Sequence, residues 1–219
     1  MRALLAALAL TTGAAMADDI ETPAHAVIAA APAPGFDGRI EVRRYAPMIV
    51  AEVTVAADSR RAASSAGFRP LASYIFGANA PGQKIAMTAP VAVTPADAGG
   101  MAGGGGAKIA MTSPVTTAPG GDGEWTVRFM MPSEWTMDTL PAPEDPRVRL
   151  VETAPETRAT LRFVGRATPE RVEAAVAALD SYIAGAGLAP AGDVTWAGYD
   201  GPSVPEAERR WEVQRPVEG

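Results

Sequence analysis

Apolar and polar residues alternate with a period of two near residues 40–45, 48–55, 125–131, 148–152 and 157–164, the spacing of half-buried strands. In the stretch from Trp125 to Met131, the side chains of Trp125, Val127, Phe129 and Met131 share one face. Two other stretches keep a helical period. Thr168 is a predicted N-cap, with Pro169 at the first helical position, where a missing N–H costs nothing. Val172, Val176, Leu179 and Ile183 form an apolar stripe, and Gly185 and Gly187 end that helix. An earlier helix is expected to start near Asp58 or Ser59, with Phe68, Leu71, Ala72 and Ile75 on one face. Gly67 and Pro70 predict a kink or a late start there. Two further strands are predicted at 194–199 and 210–215.

Two repeats organise these elements. The segment Lys84 to Val91 (KIAMTAPV) returns at Lys108 to Val115 (KIAMTSPV) with one difference, and glycine-rich chain lies between the copies. Each copy reads as a short strand ended by proline, the two joined by a flexible connection. A quieter repeat is offset by 108 residues. It lays Ile40 on Val148, Ala46-Pro47 on Ala154-Pro155, and Leu71, Ser73, Tyr74, Ile75 and Gly77 on Leu179, Ser181, Tyr182, Ile183 and Gly185. Two halves follow, at about 39–132 and 147–217, each β-β-α-β-β. Each would expose an apolar sheet face that alone could not be buried. The expected architecture is therefore α+β: a distorted antiparallel β-barrel from two pseudo-symmetric ββαββ halves, with the two helices outside or across its mouth.

The N-terminus stands apart from this pattern. Met1-Arg2, an apolar run from Ala3 to Leu10 and Ala15-Met16-Ala17 have the layout of a secretory signal peptide over residues 1–17. The run is too short for a permanent membrane span. The expectation is an exported, periplasmic protein whose mature part, 18–219, is a single domain without a membrane span. A formal net charge of −6 and a pI near 4.9 deny a phosphate backbone the basic surface it needs, which argues against nucleic acid as a partner. The absence of cysteine excludes thiolate catalysis and zinc–thiolate sites.

Candidate catalytic chemistry is sparse. The single histidine, His25, lies in the N-terminal arm, no Gly-x-Ser-x-Gly elbow occurs, and Gly103–Gly106 lacks the Lys-Ser/Thr ending of a phosphate loop. No metal-ligand spacing is found. Binding has better material: of nine methionines, Met87, Met111, Met130, Met131 and Met137 gather around the strands of the first half. Methionine adapts its shape to large, irregular ligands. A non-enzymatic binding protein is expected, with an enzyme the less supported reading.

Several motifs together resemble the SOUL haem-binding family. They are the paired KIAMT segments, Trp125 to Ser133, Leu140-Pro141-Ala142-Pro143 with Asp145-Pro146-Arg147-Val148, and Tyr199-Asp200-Gly201-Pro202. Glu21-Thr22-Pro23 and Ile40 to Tyr45 are similar to the family's opening. The resemblance covers about residues 20–217. It implies non-covalent binding of haem or another tetrapyrrole, without a shared catalytic apparatus, by a haem carrier or buffer. It places the pocket along one face of the first helix, here Ser65, Phe68 and Ala72. Ser65 stands where some members have a cation for a haem propionate, so Arg61 or Arg69 would substitute. Met87 or Met111 would be the available iron ligands, with weak or absent axial ligation otherwise. Trp211 falls where the family usually has asparagine, which puts a large apolar surface in that place. The alternatives are a binding module for another apolar small molecule, or an enzyme acting on tetrapyrroles or lipids.

Overall fold

The computed structural model describes residues 20–80, 106–201 and 203–218. The predicted leader, the first KIAMT copy and Met87 lie outside them. The elements in chain order are β1 (His25–Pro32), β2 (Arg39–Tyr45), β3 (Ile49–Ala56), α1 (Arg60–Ile75), β4 (Asn79–Ala80), β5 (Val115–Gly121), β6 (Glu124–Met130), β7 (Ala142–Pro143), β8 (Arg149–Glu152), β9 (Glu156–Val164), α2 (Pro169–Gly185), β10 (Ala189–Pro190), β11 (Thr195–Gly198) and β12 (Arg210–Glu218). Two helices and one large antiparallel sheet make the class α+β.

The sheet runs β1-β2-β9-β12-β11-β5-β6-β3-β8, and β10 pairs with β12 off this path. β2 pairs with β9, β8 with β3, and β5 with β11, so strands from the two predicted halves interleave. The sheet is open. β1 and β8 end it, and among the described residues no ladder joins them, which corrects the expected closed barrel. The reason lies in how the apolar face is covered. Register partners share a face, and Ile40, Leu161, Val213, Trp196, Thr117, Val127 and Val53 form one continuous row across seven strands. Both helices lie on that side. Leu179 and Ile183 of α2 pack with Ile40, Leu161 and Val213, while Leu71, Tyr74 and Ile75 of α1 pack with Val53, Val127 and Phe129. Each fully buried side chain of this size is worth about 1.5–3 kcal/mol. Two helix-on-sheet cores thus bury what barrel closure would have buried.

The helix ends follow the local chemistry. The Ser59 and Thr168 side chains accept from Ala62 N and Arg171 N, as N-caps do. α1 starts directly after Ser59, without the late start, and continues through Gly67 and Pro70. Both residues are buried, and Gly67 lets the helix approach Val127 so closely that a Cβ there would lie 2.5 Å from its Cγ2. Packing outweighs propensity at that turn. The second KIAMT copy, expected as a strand, is not one over 108–114, because β5 starts only at Val115. Ile109 N instead donates to the α1 carbonyl of Ile75 (2.8 Å) and Ala107 N to Asn79 Oδ1 (3.0 Å), which ties the segment to the end of the helix.

Candidate functional site

On the helix-bearing side, the middle of the sheet is left between α1 and α2. There the first turn of α1 faces the β9–α2 connection across a groove of about 430 Å³. That volume falls within the range of small-molecule sites, about 300–1,000 Å³. Arg60, Arg61, Ser64 and Ser65 form one wall, Gly165 to Pro169 the other, with Glu206 and Arg209 contributing from the chain before β12 and Trp211 from its start.

Trp211 fits because of its neighbours. Its register partner is Gly198, where a Cβ would lie 3.1 Å from the indole, and Trp211 Nε1 donates to the carbonyl of Gly165 at 3.0 Å. The indole therefore lies over β11 with its polar atom satisfied, as a buried indole requires. Arg60 stacks on this platform, its guanidinium carbon 5.8 Å from the Trp211 ring and 5.5 Å from that of Trp196. Such contacts are worth about 0.5–2 kcal/mol.

The groove is electropositive although the chain is acidic. Arg166 is paired with Glu206 at 3.1 Å, and Arg209 Nε donates to Val204 O. Among the described residues, Arg60 and Arg61 have no carboxylate partner. Burial and then the neighbouring Arg61 charge lower the Arg60 guanidinium from its usual range, yet it stays charged at any ordinary pH. The first turn of α1 holds no acidic residue, so two cations sit at the positive end of the helix dipole. The α2 N-cap Thr168 adds a second helix N-terminus to the same groove. The site is built to receive negative charge beside a flat aromatic surface.

The sequence-predicted residues divide. Arg61 and Ser65 line the groove. Phe68, 42% exposed, lies farther along the helix with its ring 5.3 Å from Phe129. Ala72 is fully buried on α1 and does not line this groove. Arg69 is exposed and outside the groove lining, and Met111 is exposed away from it. Arg60, Trp196 and Trp211 were not predicted as a unit, although the Arg60-Arg61 pair directly after an N-cap serine was readable. His25 of β1 lies tilted against the Tyr45 ring of β2, centroids 5.2 Å apart, and outside the groove.

The opposite, helix-free face carries a buried polar network. Glu212, with no side-chain exposure, accepts from Arg43 (3.0 and 3.1 Å), Arg162 (3.0 Å), Tyr199 Oη (2.7 Å) and Gln214 Nε2 (2.8 Å). Burial opposes its charge, but the two guanidinium groups and the two neutral donors outweigh that and hold it below the usual carboxylate range. A cavity of only about 60 Å³ lies beside this network, near Tyr45, Arg158 and Gln214, too small for a drug-sized ligand. Among the described residues no group of three potential metal-ligating side chains occurs, and no helix is long and apolar enough to cross a membrane.

An open antiparallel sheet with two helices on one face is a fold shared by several solved structures. An uncharacterized conserved protein from Listeria innocua is similar over 82% of this chain and 92% of its own (TM-score 0.55, 15% identity). The EcmrR C-terminal domain is similar over 83% and 98% (TM-score 0.58, 13% identity), and a hydrolase from Listeria innocua over 82% and 91% (TM-score 0.51, 13% identity). At such identities the likeness shows the fold alone. No curated protein matches the chain in sequence. The family model described as SOUL heme-binding protein matches residues 20–216, and the chain belongs to that family.

Proposed function

We propose that the protein binds haem or a related carboxylated tetrapyrrole, without catalysis, in the groove between α1 and the β9–α2 connection. It would serve as a carrier or buffer in the exported, periplasmic compartment that its N-terminal sequence suggests. The observation that carries this reading is Arg60, stacked over Trp196 and Trp211 beside Arg61, with neither arginine answered by a carboxylate among the described residues. A tetrapyrrole offers what that arrangement lacks, a flat apolar ring for the indole and carboxylates for the arginines. The interleaving of β2 with β9 and of β8 with β3 supports a duplicated origin for the scaffold.

The fit to iron is a different matter. No histidine, methionine, tyrosine or cysteine lines the groove among the described residues, so its side chains would hold the macrocycle and its carboxylates and leave the metal without an axial ligand. Bound haem would supply only its own ring and iron chemistry. The test is titration of the purified mature chain with haem and with metal-free protoporphyrin, followed by absorption and by tryptophan quenching. Saturable binding of both is expected, weakened about tenfold or more in the Arg60→Ala/Arg61→Ala double variant, since each charge-assisted bond is worth about 1.5–3 kcal/mol. Trp211→Asn should weaken both ligands as well. Absence of saturable binding, or full affinity in the double variant, would refute the proposal.

A further inference from the structure

A second groove, remote from α1's first turn, lies at the end of the sheet where β3 begins and β6 and β8 end. It encloses about 450 Å³. Its apolar surface is unusual: Met48, Met130, Met131 and Met137 line it together with Trp135. Four of the nine methionines in the chain thus meet in one place. Thioether side chains re-pack around ligands of varied shape. Met137 is 43% exposed, so the chain itself leaves part of this surface uncovered. The buried Nε1–H of Trp135 has no acceptor among the described residues.

The charges of the lining all have one sign. Glu21, Asp138 and Glu152 border the groove, and no described lining residue is a cation. The buried carboxylates of the sheet are answered: Glu52 is held by Arg128 and Arg149, and Glu212 by Arg43 and Arg162. Here Glu21 accepts only the backbone N–H of Ser133, at 3.0 Å, and Asp138 and Glu152 make no ion pair among the described residues. An apolar cleft rimmed by three uncompensated carboxylates complements a positive charge on an apolar body. It is electrostatically the inverse of the arginine groove.

We infer that this methionine groove is a second binding site, specific for an apolar organic cation. Two near-isosteric ions of opposite charge, tetraphenylphosphonium and tetraphenylborate, separate charge recognition from apolar burial. Equilibrium dialysis at low ionic strength should give saturable binding of the cation, and affinity for the anion at least about tenfold lower. Exposed ion pairs contribute up to about fivefold each, so Glu21→Gln/Asp138→Asn/Glu152→Gln together should weaken the cation about tenfold or more. The amide carbonyl introduced by Glu21→Gln can still accept from Ser133 N, and near-ultraviolet circular dichroism should be unchanged. Met137→Lys, at an exposed position, should produce a comparable loss. Neutralising Asp37, Glu173 and Asp193, exposed residues outside the groove, should leave binding intact. Equal binding of both ions, no saturable cation binding, wild-type affinity in the groove variants, or an equal loss on neutralising the remote carboxylates would each overturn the site.

Discussion

Replacing Glu212 with glutamine would remove one negative charge from the most enclosed polar cluster of the sheet. The carboxylate takes bonds from Arg43, Arg162, Tyr199 and Gln214, which joins β2, β9, β12 and the end of β11. Arg162 is about half exposed and can turn to water, but the Arg43 side chain is only 6% exposed. The variant leaves the buried Arg43 guanidinium with Glu41 as its remaining carboxylate, at 2.8 Å, and sets an amide N–H₂ against donors. Loss of one partner from a buried pair costs about 3–5 kcal/mol when the other is left uncompensated, an upper bound here because Glu41 still answers Arg43. For a domain of this size that corresponds to a fall in Tm of about 6–20 °C. Urea unfolding at neutral pH, with calorimetry, reads both quantities. Arg43→Met in the same background completes a double-mutant cycle, and a coupling of about 2 kcal/mol or more is expected. The pH dependence follows from the direction of the shift. The folded carboxyl titrates below its ordinary value of 4.5, so its contribution is complete above that value and is lost as pH falls through the lower folded one. Glu212→Gln should therefore lose part of the acid limb of the stability profile. A cost below about 1 kcal/mol, or strict additivity with Arg43→Met, would refute the reasoning.

Two other substitutions test the α1 core. Gly67→Ala gains about 1 kcal/mol of helix propensity but drives a Cβ to within 2.5 Å of Val127 Cγ2, and overpacking costs about 1–3 kcal/mol. A net loss in urea midpoint is expected; a stabilised variant would show that the contact relaxes freely. Tyr74→Phe removes the buried 2.9 Å bond to the Pro141 carbonyl, at about 0.5–1.5 kcal/mol. Burial pushes the Tyr74 phenol up to about 12, so the wild type should lose stability as pH rises from 10 towards 12. The variant should lose less across that window, and identical alkaline profiles would contradict the assignment.

How far the chain could be read depends on the range of the interactions involved. Local signals served well: Thr168 and Ser59 cap the helices, and the strand alternation at 125–131 matches β6 within one residue. The place of Gly67 in α1 is not legible locally, because its close approach to Val127 joins two segments 60 residues apart. The KIAMT echo misled for a related reason. An alternating pattern states which side chains can be buried, but whether the backbone joins a ladder depends on which acceptor is near, here Ile75 O of the helix. At the site, Arg61 and Ser65 were legible from resemblance, whereas the platform beneath Arg60 needs Gly198 opposite Trp211 across a strand pair. Trp211, a departure from the family pattern, is the residue that gives this electropositive groove a flat apolar surface.

Electrostatics at the start of α1 connects that site to stability. Arg60 and Arg61 stand in a first turn without an acidic residue, where a cation meets the positive end of the helix dipole at about 0.3–1 kcal/mol each. Arg60 regains part of this from the two indole rings. Arg61 is exposed and regains nothing from any described carboxylate. An interaction that weakens the ligand-free fold and persists at a groove implies a compensating partner. Arg61→Glu should then act in opposite directions on the two properties. Reversing the charge removes the repulsion and adds an attraction, so the ligand-free chain should gain about 0.6–2 kcal/mol in urea unfolding at low salt. The gain should shrink as salt screens the exposed first turn. In the same variant, haem and metal-free protoporphyrin should bind at least as weakly as to Arg61→Ala. A destabilised Arg61→Glu would mean that Arg61 is a structural cation whose partner is not a ligand. Unchanged porphyrin affinity would remove Arg61 from the site.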